Sequence, residues 1–264
     1  MKIDSHATVP PDFIRYKVKI FENVTVESYL KKMEELNINR AVVWSVARSP
    51  DEVTKVNDWV AKLTHDYPDK FIGFANVYPP RLEEALAELE RAITKLSLVG
   101  LKLHPTVQLF MMNDPSVIAI IDRAKEYDIP VVLHVASPAY RPFPDHLGAF
   151  AQEVVDSESS NPYSSSALLA SIVKHYNSRK VFSAHLGGIY SPEIEQSKIS
   201  FQTVGACVSA IEYAYRVVGA DRIVFGSDYP FFDPAEEIKK IRRANIPEKA
   251  KEKILGKNME ELLG

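Results

Sequence analysis

Four potential metal ligands close four short apolar runs of this chain. The runs read KIDSH, IPVVLH, KVFSAH and RIVFGSD, and they end at His6, His134, His185 and Asp228. Imidazole nitrogens and carboxylate oxygens are donors that zinc takes in proteins. Because these positions are far apart in the sequence, a single site requires a fold that gathers many strand ends. Thr8, two residues after His6, stands where a second imidazole would complete a familiar ligand motif.

Apolar runs of this kind alternate with longer amphipathic segments along the whole chain, a pattern typical of βαβ units and a parallel sheet. Eight strands are the number that a closed barrel needs, and 264 residues are close to the roughly 250 of such a fold. The sequence therefore predicts an α/β fold, a TIM (β/α)8 barrel with parallel strands and outer helices. The predicted strands lie near residues 2–6, 40–46, 71–77, 99–104, 130–135, 180–185, 199–203 and 222–227.

The outer helices have their own signals. Apolar residues recur at helical spacing from Val26 to Leu36 and from Leu82 to Leu96, with charged residues on the opposite face. A capping residue followed by proline marks three helix starts, at Ser49, Asp114 and Asp233. The apolar strands are expected to be covered on both faces by these helices.

Two connections are longer than the others, from Thr8 to Thr25 and from Ala136 to about Tyr163, and both are rich in Pro, Ser, Tyr and Phe. Both follow strands, so in a barrel they would lie at the catalytic rim. Since the chain shows no repeat and no linker, residues 1–264 are predicted to form a single domain.

Composition excludes several classes of protein. Hydrophobic residues make up 46% and charged residues 25% of the chain, which is typical of a globular protein. The formal net charge of -3, without a long Lys/Arg run, argues against nucleic acid as a partner. Cys207 is the single cysteine, so an intrachain disulfide framework and a thiolate zinc cluster are excluded. The sequence also lacks a signal peptide and an apolar stretch of about 18 residues, which predicts no membrane span and a cytoplasmic location.

In a barrel, the carboxyl ends of the strands converge on one mouth, so the four candidate ligands would meet there. Two imidazoles and a carboxylate can hold a catalytic Zn²⁺ with a position left open for water, which the metal converts to hydroxide near neutral pH. The alternative for any single histidine is a structural, hydrogen-bonded residue. By contrast, His65, His146 and His175 lie in turns, loops or helix tails and are interpreted mainly as surface residues, with His146 kept as a rim candidate.

The sequence resembles the amidohydrolase-2 group of the metal-dependent amidohydrolase superfamily, which includes the aminocarboxymuconate semialdehyde decarboxylase-like enzymes. The resemblance covers essentially the whole chain and rests on segments that occur in family order. They are IDSHAT at residues 3–8, GLKLHP at 100–105, VVLH at 131–134, AHLGG at 184–188, GADRIVFGSDYPF at 219–231 and the closing KEKILGKNMEELL.

This resemblance implies a distorted TIM barrel with one divalent metal, usually zinc or manganese. By similarity, His6 and Thr8 occupy the two positions of a His-x-His motif, and His134 and Asp228 are further ligands. His185 matches a histidine that acts as a general base or polarises the substrate, and that binds metal in some relatives. Thr8 departs from the family pattern and should weaken metal binding. The remaining donors also suit iron or manganese, and a site that has lost its metal is the rival interpretation.

Lys102 and His104 lie two residues apart on one predicted strand and therefore share a face. They are predicted to bind a substrate carboxylate or to polarise a carbonyl. The alternatives for Lys102 are a buried ion pair with an acid such as Asp4 and, in binuclear relatives, a carbamylated bridging lysine. Arg141, with Tyr140, is a weaker candidate for binding an acidic substrate at the rim. Trp44 fits core packing.

Three functional hypotheses follow. The first is a metal-dependent hydrolase that activates water for attack on a C–N or C–O bond of a small, carboxylate-bearing molecule, with His185 and Asp228 as catalytic residues. The alternative is non-oxidative, metal-dependent decarboxylation of an aromatic or muconate-like acid. The third is a catalytically silent barrel that serves as a binding module. Small molecules are the expected partners, and the family suggests a homodimer as one oligomeric state.

Overall fold

A computed structural model describes residues 1–135, 163 and 165–264 of the chain. Within these residues, eight parallel strands pair in sequence order, β1 to β8, each beside its neighbour in the chain. The strands are β1 (Ile3–Thr8), β2 (Arg40–Trp44), β3 (Phe71–Asn76), β4 (Gly100–Leu103), β5 (Val131–Leu133), β6 (Val181–Ser183), β7 (Ser200–Gln202) and β8 (Ile223–Val224).

Hydrogen bonds between the first and last strands close the sheet. The Ser5 amide donates to the Phe225 carbonyl at 2.9 Å, the Asp228 amide to the His6 carbonyl at 2.7 Å and the Thr8 amide to the Tyr229 carbonyl at 2.8 Å. The predicted TIM barrel is thereby confirmed, and each of the eight predicted strands is found within a few residues of its expected bounds.

The helices follow the strands around the barrel. Those in the described residues are α1 (Asp12–Arg15), α2 (Val26–Leu36), α3 (Pro50–Asp66), α4 (Leu82–Thr94), α5 (Pro105–Gln108), α6 (Pro115–Glu126), α7 (Ser166–His175), α8 (Pro192–Glu195), α9 (Val208–Val218), α10 (Pro234–Arg243), α11 (Glu248–Glu252) and α12 (Asn258–Leu263). A π-helical turn, Lys253–Lys257, joins α11 to α12. No helix in these described parts of the chain is long and apolar enough to cross a membrane.

Two of the three predicted helix caps are confirmed. The Asp114 carboxylate accepts a hydrogen bond from the Ser116 amide, and the Asp233 carboxylate accepts one from the Ala235 amide. The cap predicted at Ser49 was wrong in its chemistry, because Ser49 makes no side-chain capping bond. The Glu52 carboxylate instead turns back and accepts from the Arg48 amide at 2.9 Å.

The strands are apolar because each is covered on two sides. Outward-facing residues pack against the helices in one large cluster, while inward-facing residues form a second cluster inside the barrel. Met259 and Leu262 of α12 pack against that inner cluster. The interior is therefore filled with side chains, and buried polar residues such as His6, Lys102 and Gln202 lie in or near the carboxyl-terminal parts of their strands. Inner-cluster residues on the strands are Ile3, Val42, Trp44, Ile72, Phe74, Val132, Phe182 and Val224.

Candidate active site

His6 and Asp228 lie next to each other where β1 meets the end of β8. The His6 Nε2 atom is 3.3 Å from the Asp228 Oδ1 atom, and both residues are buried. The backbone hydrogen bond between them belongs to the set that closes the barrel. Two candidate ligands that are far apart in the sequence are thus held side by side by strand pairing.

Gln202, the last residue of β7, holds the other nitrogen of the His6 ring. Its Oε1 atom is 2.8 Å from His6 Nδ1, while its amide nitrogen donates to the Ser5 carbonyl at 2.7 Å and to Ser5 Oγ at 3.0 Å. A carbonyl oxygen only accepts, so the Ser5 contact fixes which end of the amide faces His6. These contacts favour the tautomer of His6 that has its proton on Nδ1 and its Nε2 lone pair towards Asp228.

The buried carboxylate of Asp4 connects β1 to the segment that follows β8. Asp4 Oδ1 accepts from the backbone amides of His6 at 3.1 Å and Ser227 at 2.9 Å. Asp4 Oδ2 accepts from the hydroxyls of Tyr29 at 2.8 Å and Ser227 at 2.5 Å. Burial raises the pKa of Asp4 to about 6, against the lowering effect of these bonds. Asp4 thus links β1, which contains His6, to Ser227, the residue before Asp228.

Three further histidines form a compact group at the ends of β4, β5 and β6. The rings of His104 and His134 stack with their centroids 3.8 Å apart and their planes 13° from parallel. His185 Nε2 lies 3.2 Å from His134 Nδ1, and the His185 ring centroid is 5.8 Å from that of His6. All of the strand-end histidines predicted from the sequence therefore lie at one mouth.

Lys102 of β4 is buried within the same group, with 1% of its surface exposed. Its Nζ atom lies 4.9 Å from the centroid of the Trp44 ring, and Trp44 in turn contacts His6 edge-on with centroids 4.5 Å apart. A cation over an indole face is favourable, more so when it is shielded from water. Trp44 does belong to the core, as the sequence suggested, but it also forms the wall behind His6 and Lys102.

Burial keeps the imidazoles of His6, His104 and His185 neutral. It is the largest cause of a pKa well below the usual range for His6, His104 and His185. Repulsion from neighbouring groups adds to it, with Lys102 the next cause for His6 and His134 the next for His104 and His185. Neutral imidazole is the form that binds a metal or accepts a proton.

Two of the candidate residues have a backbone conformation that side-chain-bearing residues seldom adopt. His185 has φ of 58° and Asp228 has φ of 55°, both in the left-handed region. Such conformations cost free energy and cluster at functional sites, where the surrounding structure maintains them. The turns after β6 and β8 thereby direct both side chains to the mouth.

The remaining predicted residues are distributed as follows. Thr8 ends β1 with 8% of its surface exposed, two residues beyond His6 and beyond a register shift between Asp4 and Ala7.

His65 and His175 lie at the ends of outer helices, as predicted. Arg141, Tyr140 and His146 lie outside the described residues.

The imidazole and carboxylate donors at the mouth are of the types that bind a divalent cation. In this structure, the four predicted ligands do not surround one common point. A neutral nitrogen and a carboxylate oxygen that face each other at 3.3 Å are a pair that a shared cation would stabilise. His185, however, contacts His134, and His134 stacks on His104. Among the described residues, no group of three or more His, Cys, Asp or Glu side chains is arranged to hold a metal ion.

Gln202 was not singled out by the sequence. His6, His134, His185 and Asp228 were selected because each closes an apolar run. Gln202 also closes such a run, ISFQ at residues 199–202. It is fully buried, and its partners lie 196 and 197 residues away. Glutamine is not a usual metal ligand, so residue type alone gave no reason to select it.

Comparison with known proteins identifies the family. A model described as amidohydrolase (Amidohydro_2) matches residues 3–264. The chain belongs to the amidohydrolase family. The resemblance inferred from the sequence motifs is thereby confirmed.

One curated relative of this amidohydrolase is 2-amino-3-carboxymuconate-6-semialdehyde decarboxylase of Dictyostelium discoideum. The two are 23% identical over 244 aligned residues, which cover 79% of this chain and 65% of the relative. The chain thus spans less than two thirds of that protein's length.

Two decarboxylases are among the solved structures that share this fold. One is 5-carboxyvanillate decarboxylase of Novosphingobium aromaticivorans, complexed with manganese and 4-hydroxy-3-methoxy-5-nitrobenzoic acid; it is 17% identical, with a TM-score of 0.80 over 100% of this chain and 96% of that one. The other is 2,6-dihydroxybenzoate decarboxylase of Rhizobium, 16% identical, with a TM-score of 0.73 over 99% and 98% of the two chains.

Proposed function

We propose that this amidohydrolase-family chain is a non-oxidative decarboxylase of a small aromatic or muconate-like carboxylic acid, and that it uses one divalent metal ion. The named relatives support this choice, since all three are decarboxylases. Hydrolysis of a C–N or C–O bond, the first hypothesis from the sequence, has no such support. The decarboxylase alternative replaces it as the main hypothesis.

The observation in this chain that carries the proposal is the buried position of Lys102 among neutral imidazoles. Its charge contributes to the lowered pKa of His6, His104 and His185, so it lies within electrostatic reach of all three. A cation in a shielded site strongly favours an anionic ligand. We assign the substrate carboxylate and an adjoining oxygen to the space between Lys102, His104 and the metal ligands.

His6, His134 and Asp228 would hold the metal, with His185 available as a fourth donor or as an acid–base residue. Manganese is bound in the 5-carboxyvanillate decarboxylase structure, so we propose manganese or zinc for this chain. When bound, such a cation polarises the oxygen atoms of its ligands and offsets their negative charge.

The proposed reaction replaces a carboxylate by hydrogen. The bond between the carboxylate carbon and the ring or chain carbon breaks, carbon dioxide leaves, and the electron pair remains on that carbon, which takes up one proton. His185 and Asp228 would hold and deliver this proton, since both are directed to the mouth by left-handed turns. Lys102 would stabilise the negative charge that develops during bond cleavage.

The test is to incubate the full-length protein with manganese and a panel of hydroxylated aromatic acids and to measure carbon dioxide release. Release that is lost in a His134→Ala variant would support the proposal. Hydrolysis of lactones or amides without gas evolution would instead favour the hydrolase. If neither activity is found and the protein purifies without stoichiometric metal, the silent-barrel hypothesis would stand.

A further inference from the structure

We infer that Gln202 selects the ring tautomer of His6 and thereby prepares its Nε2 atom as the metal-binding atom. This inference rests on the proposed function for the metal, whereas the choice of tautomer stands on hydrogen bonds alone. Gln202 is a positioning residue, because it acts through His6 and not on the substrate.

His6 has two acceptors that compete for its single ring proton. Asp228 Oδ1 lies 3.3 Å from Nε2, and Gln202 Oε1 lies 2.8 Å from Nδ1. A carboxylate is normally the stronger acceptor of the two. Without Gln202, the proton would therefore be drawn to Nε2, where it would occupy the lone pair that a metal needs.

Gln202 prevails at Nδ1 because its orientation is fixed and its bond is shorter. Its amide nitrogen is held by the carbonyl and hydroxyl oxygens of Ser5, at 2.7 Å and 3.0 Å. Reversing the amide would place a carbonyl oxygen against the Ser5 carbonyl and an N–H group against the His6 ring. Because Gln202 and Ser5 are both fully buried, water does not offer a replacement for either bond.

The same contacts explain why a glutamine fits this position. A carboxylate there would still accept from His6 Nδ1, but it would have no proton to donate to the Ser5 carbonyl. In many metal sites, the distal nitrogen of a ligand histidine donates to a carboxylate or carbonyl, and loss of that partner lowers metal affinity by about 10–100-fold. Here a side-chain amide fills that role and also ties β7 to β1.

The test compares the full-length wild type with Gln202→Met, which has a similar volume and no hydrogen-bonding groups, and with Gln202→Glu, which keeps the acceptor. Long-range ¹H–¹⁵N spectra, assigned with a His6→Gln variant, report which nitrogen of His6 is protonated before and after zinc is added. Calorimetric titration with zinc gives the affinity of each protein.

We expect a proton on Nδ1 in the wild type and in Gln202→Glu, and a proton on Nε2 in metal-free Gln202→Met. Zinc affinity should fall about 10–100-fold in Gln202→Met and by less in Gln202→Glu. A wild-type His6 protonated on Nε2, or an unchanged tautomer in a folded Gln202→Met, would overturn the inference. An absent decarboxylase activity would leave these spectra unaffected, so the two proposals fail separately.

If Gln202→Met does not fold, Ser5→Ala provides the second route. It removes only the hydroxyl contact of the Gln202 amide at 3.0 Å, while the carbonyl contact remains. The Nδ1 tautomer and the zinc affinity should then stay close to those of the wild type, and loss of either would contradict the orienting role given to the Ser5 carbonyl.

Discussion

The amide of Asp228 donates a 2.7 Å hydrogen bond to the carbonyl oxygen of His6. This bond closes the barrel between its last and first strands, and it also sets the spacing of two candidate metal ligands. Distortion at this seam should therefore affect stability and metal binding together.

Gly226 provides the first test, because it precedes Asp228 in the closing segment. A Cβ atom at Gly226 would lie 2.8 Å from His6 Cβ and 2.8 Å from Val204 Cγ2. We expect Gly226→Ala to destabilise the protein by about 1–3 kcal/mol and to weaken manganese binding by displacing His6. Chemical unfolding and metal titration measure the two effects.

Gly73→Ala is the matched control for that variant. Gly73 lies on β3, where an added Cβ would be 2.6 Å from Leu98 Cδ2 and remote from the site residues. It should reduce stability to a similar extent while manganese affinity stays unchanged. Equal loss of affinity in both variants would mean that the seam has no special influence on the site.

Thr8 is the second test, since the resemblance of the IDSHAT segment to the family motif implies a ligand histidine at this position. Thr8→His should tighten zinc or manganese binding by about tenfold or more, equivalent to about 1.4 kcal/mol or more, because an imidazole is a better donor than a hydroxyl. Elemental analysis of untreated protein and competition with a chelator measure the change. Thr8→Val, which keeps the shape and removes the hydroxyl, separates ligation from a general effect; identical metal content in all three proteins would contradict the prediction.

Lys102 gives the third prediction. Lys102→Met should reduce carbon dioxide release by about 100-fold or more, as expected for loss of a group that stabilises developing charge. The same variant removes the contact of the Lys102 ammonium group with the Trp44 ring, so its folded state must be checked beside its rate. Steady-state kinetics and urea unfolding are the measurements.

Lys251 is a suitable control, as a second buried lysine that donates to the Arg242 carbonyl at 2.9 Å and to Glu248 at 2.8 Å on the outer helices. Lys251→Met should lower stability and leave the rate of carbon dioxide release unaltered. Should Lys102→Met retain wild-type kinetics, the role given to Lys102 in substrate binding would be wrong.

The fourth prediction concerns Glu237 of α10, a buried carboxyl group that accepts from the Gly205 amide at 3.2 Å and pairs with Lys240. Burial raises its pKa to about 7 from the usual 4.5. Between these two pH values the folded protein keeps a proton that the unfolded chain has lost, so the free energy of unfolding falls as pH rises through this interval.

Glu237→Gln should remove this dependence, since its amide oxygen can still accept from Gly205. Relative to the variant, the wild type should lose about 3 kcal/mol between pH 4.5 and pH 8, as expected for a carboxyl group with a pKa of about 7 in the folded protein and 4.5 in the unfolded chain. Urea unfolding at several pH values measures the difference. Glu236→Gln, at an exposed neighbouring position, should show the same dependence of unfolding free energy on pH as the wild type. The same dependence in all three proteins would mean that the pKa of Glu237 is not raised.

The sequence was sufficient to predict the barrel because strands covered on both faces must be apolar throughout. The same logic placed His6, His134, His185 and Asp228 at one mouth, since the strand ends of a parallel barrel converge. The contacts of these side chains could not be predicted. The stacking of His104 on His134 depends on ring rotations, which sequence spacing does not encode.

The residues that orient the site were missed for a related reason. Gln202 and Ser227 act through partners 196 and 223 residues away, and neither residue type suggests metal chemistry. Ser49 shows the opposite error, where a local pattern predicted a cap but Glu52 supplied the hydrogen bond instead. The bond that replaced this cap is itself local, between residues four apart, so the residue pattern alone did not distinguish the two arrangements.

The hydrogen bonds between β1 and the segment after β8 also determine when the site can form during synthesis of the chain. Asp228 follows His6 by 222 residues in the sequence, so a ribosome adds the first of these two candidate ligands long before the second. The hydrogen bond between Gln202 and His6 likewise cannot form until β7 has been made. If the chain binds the proposed metal, capture by a partly made chain is disfavoured, because the His6 and Asp228 donors are paired only after the final strand has docked.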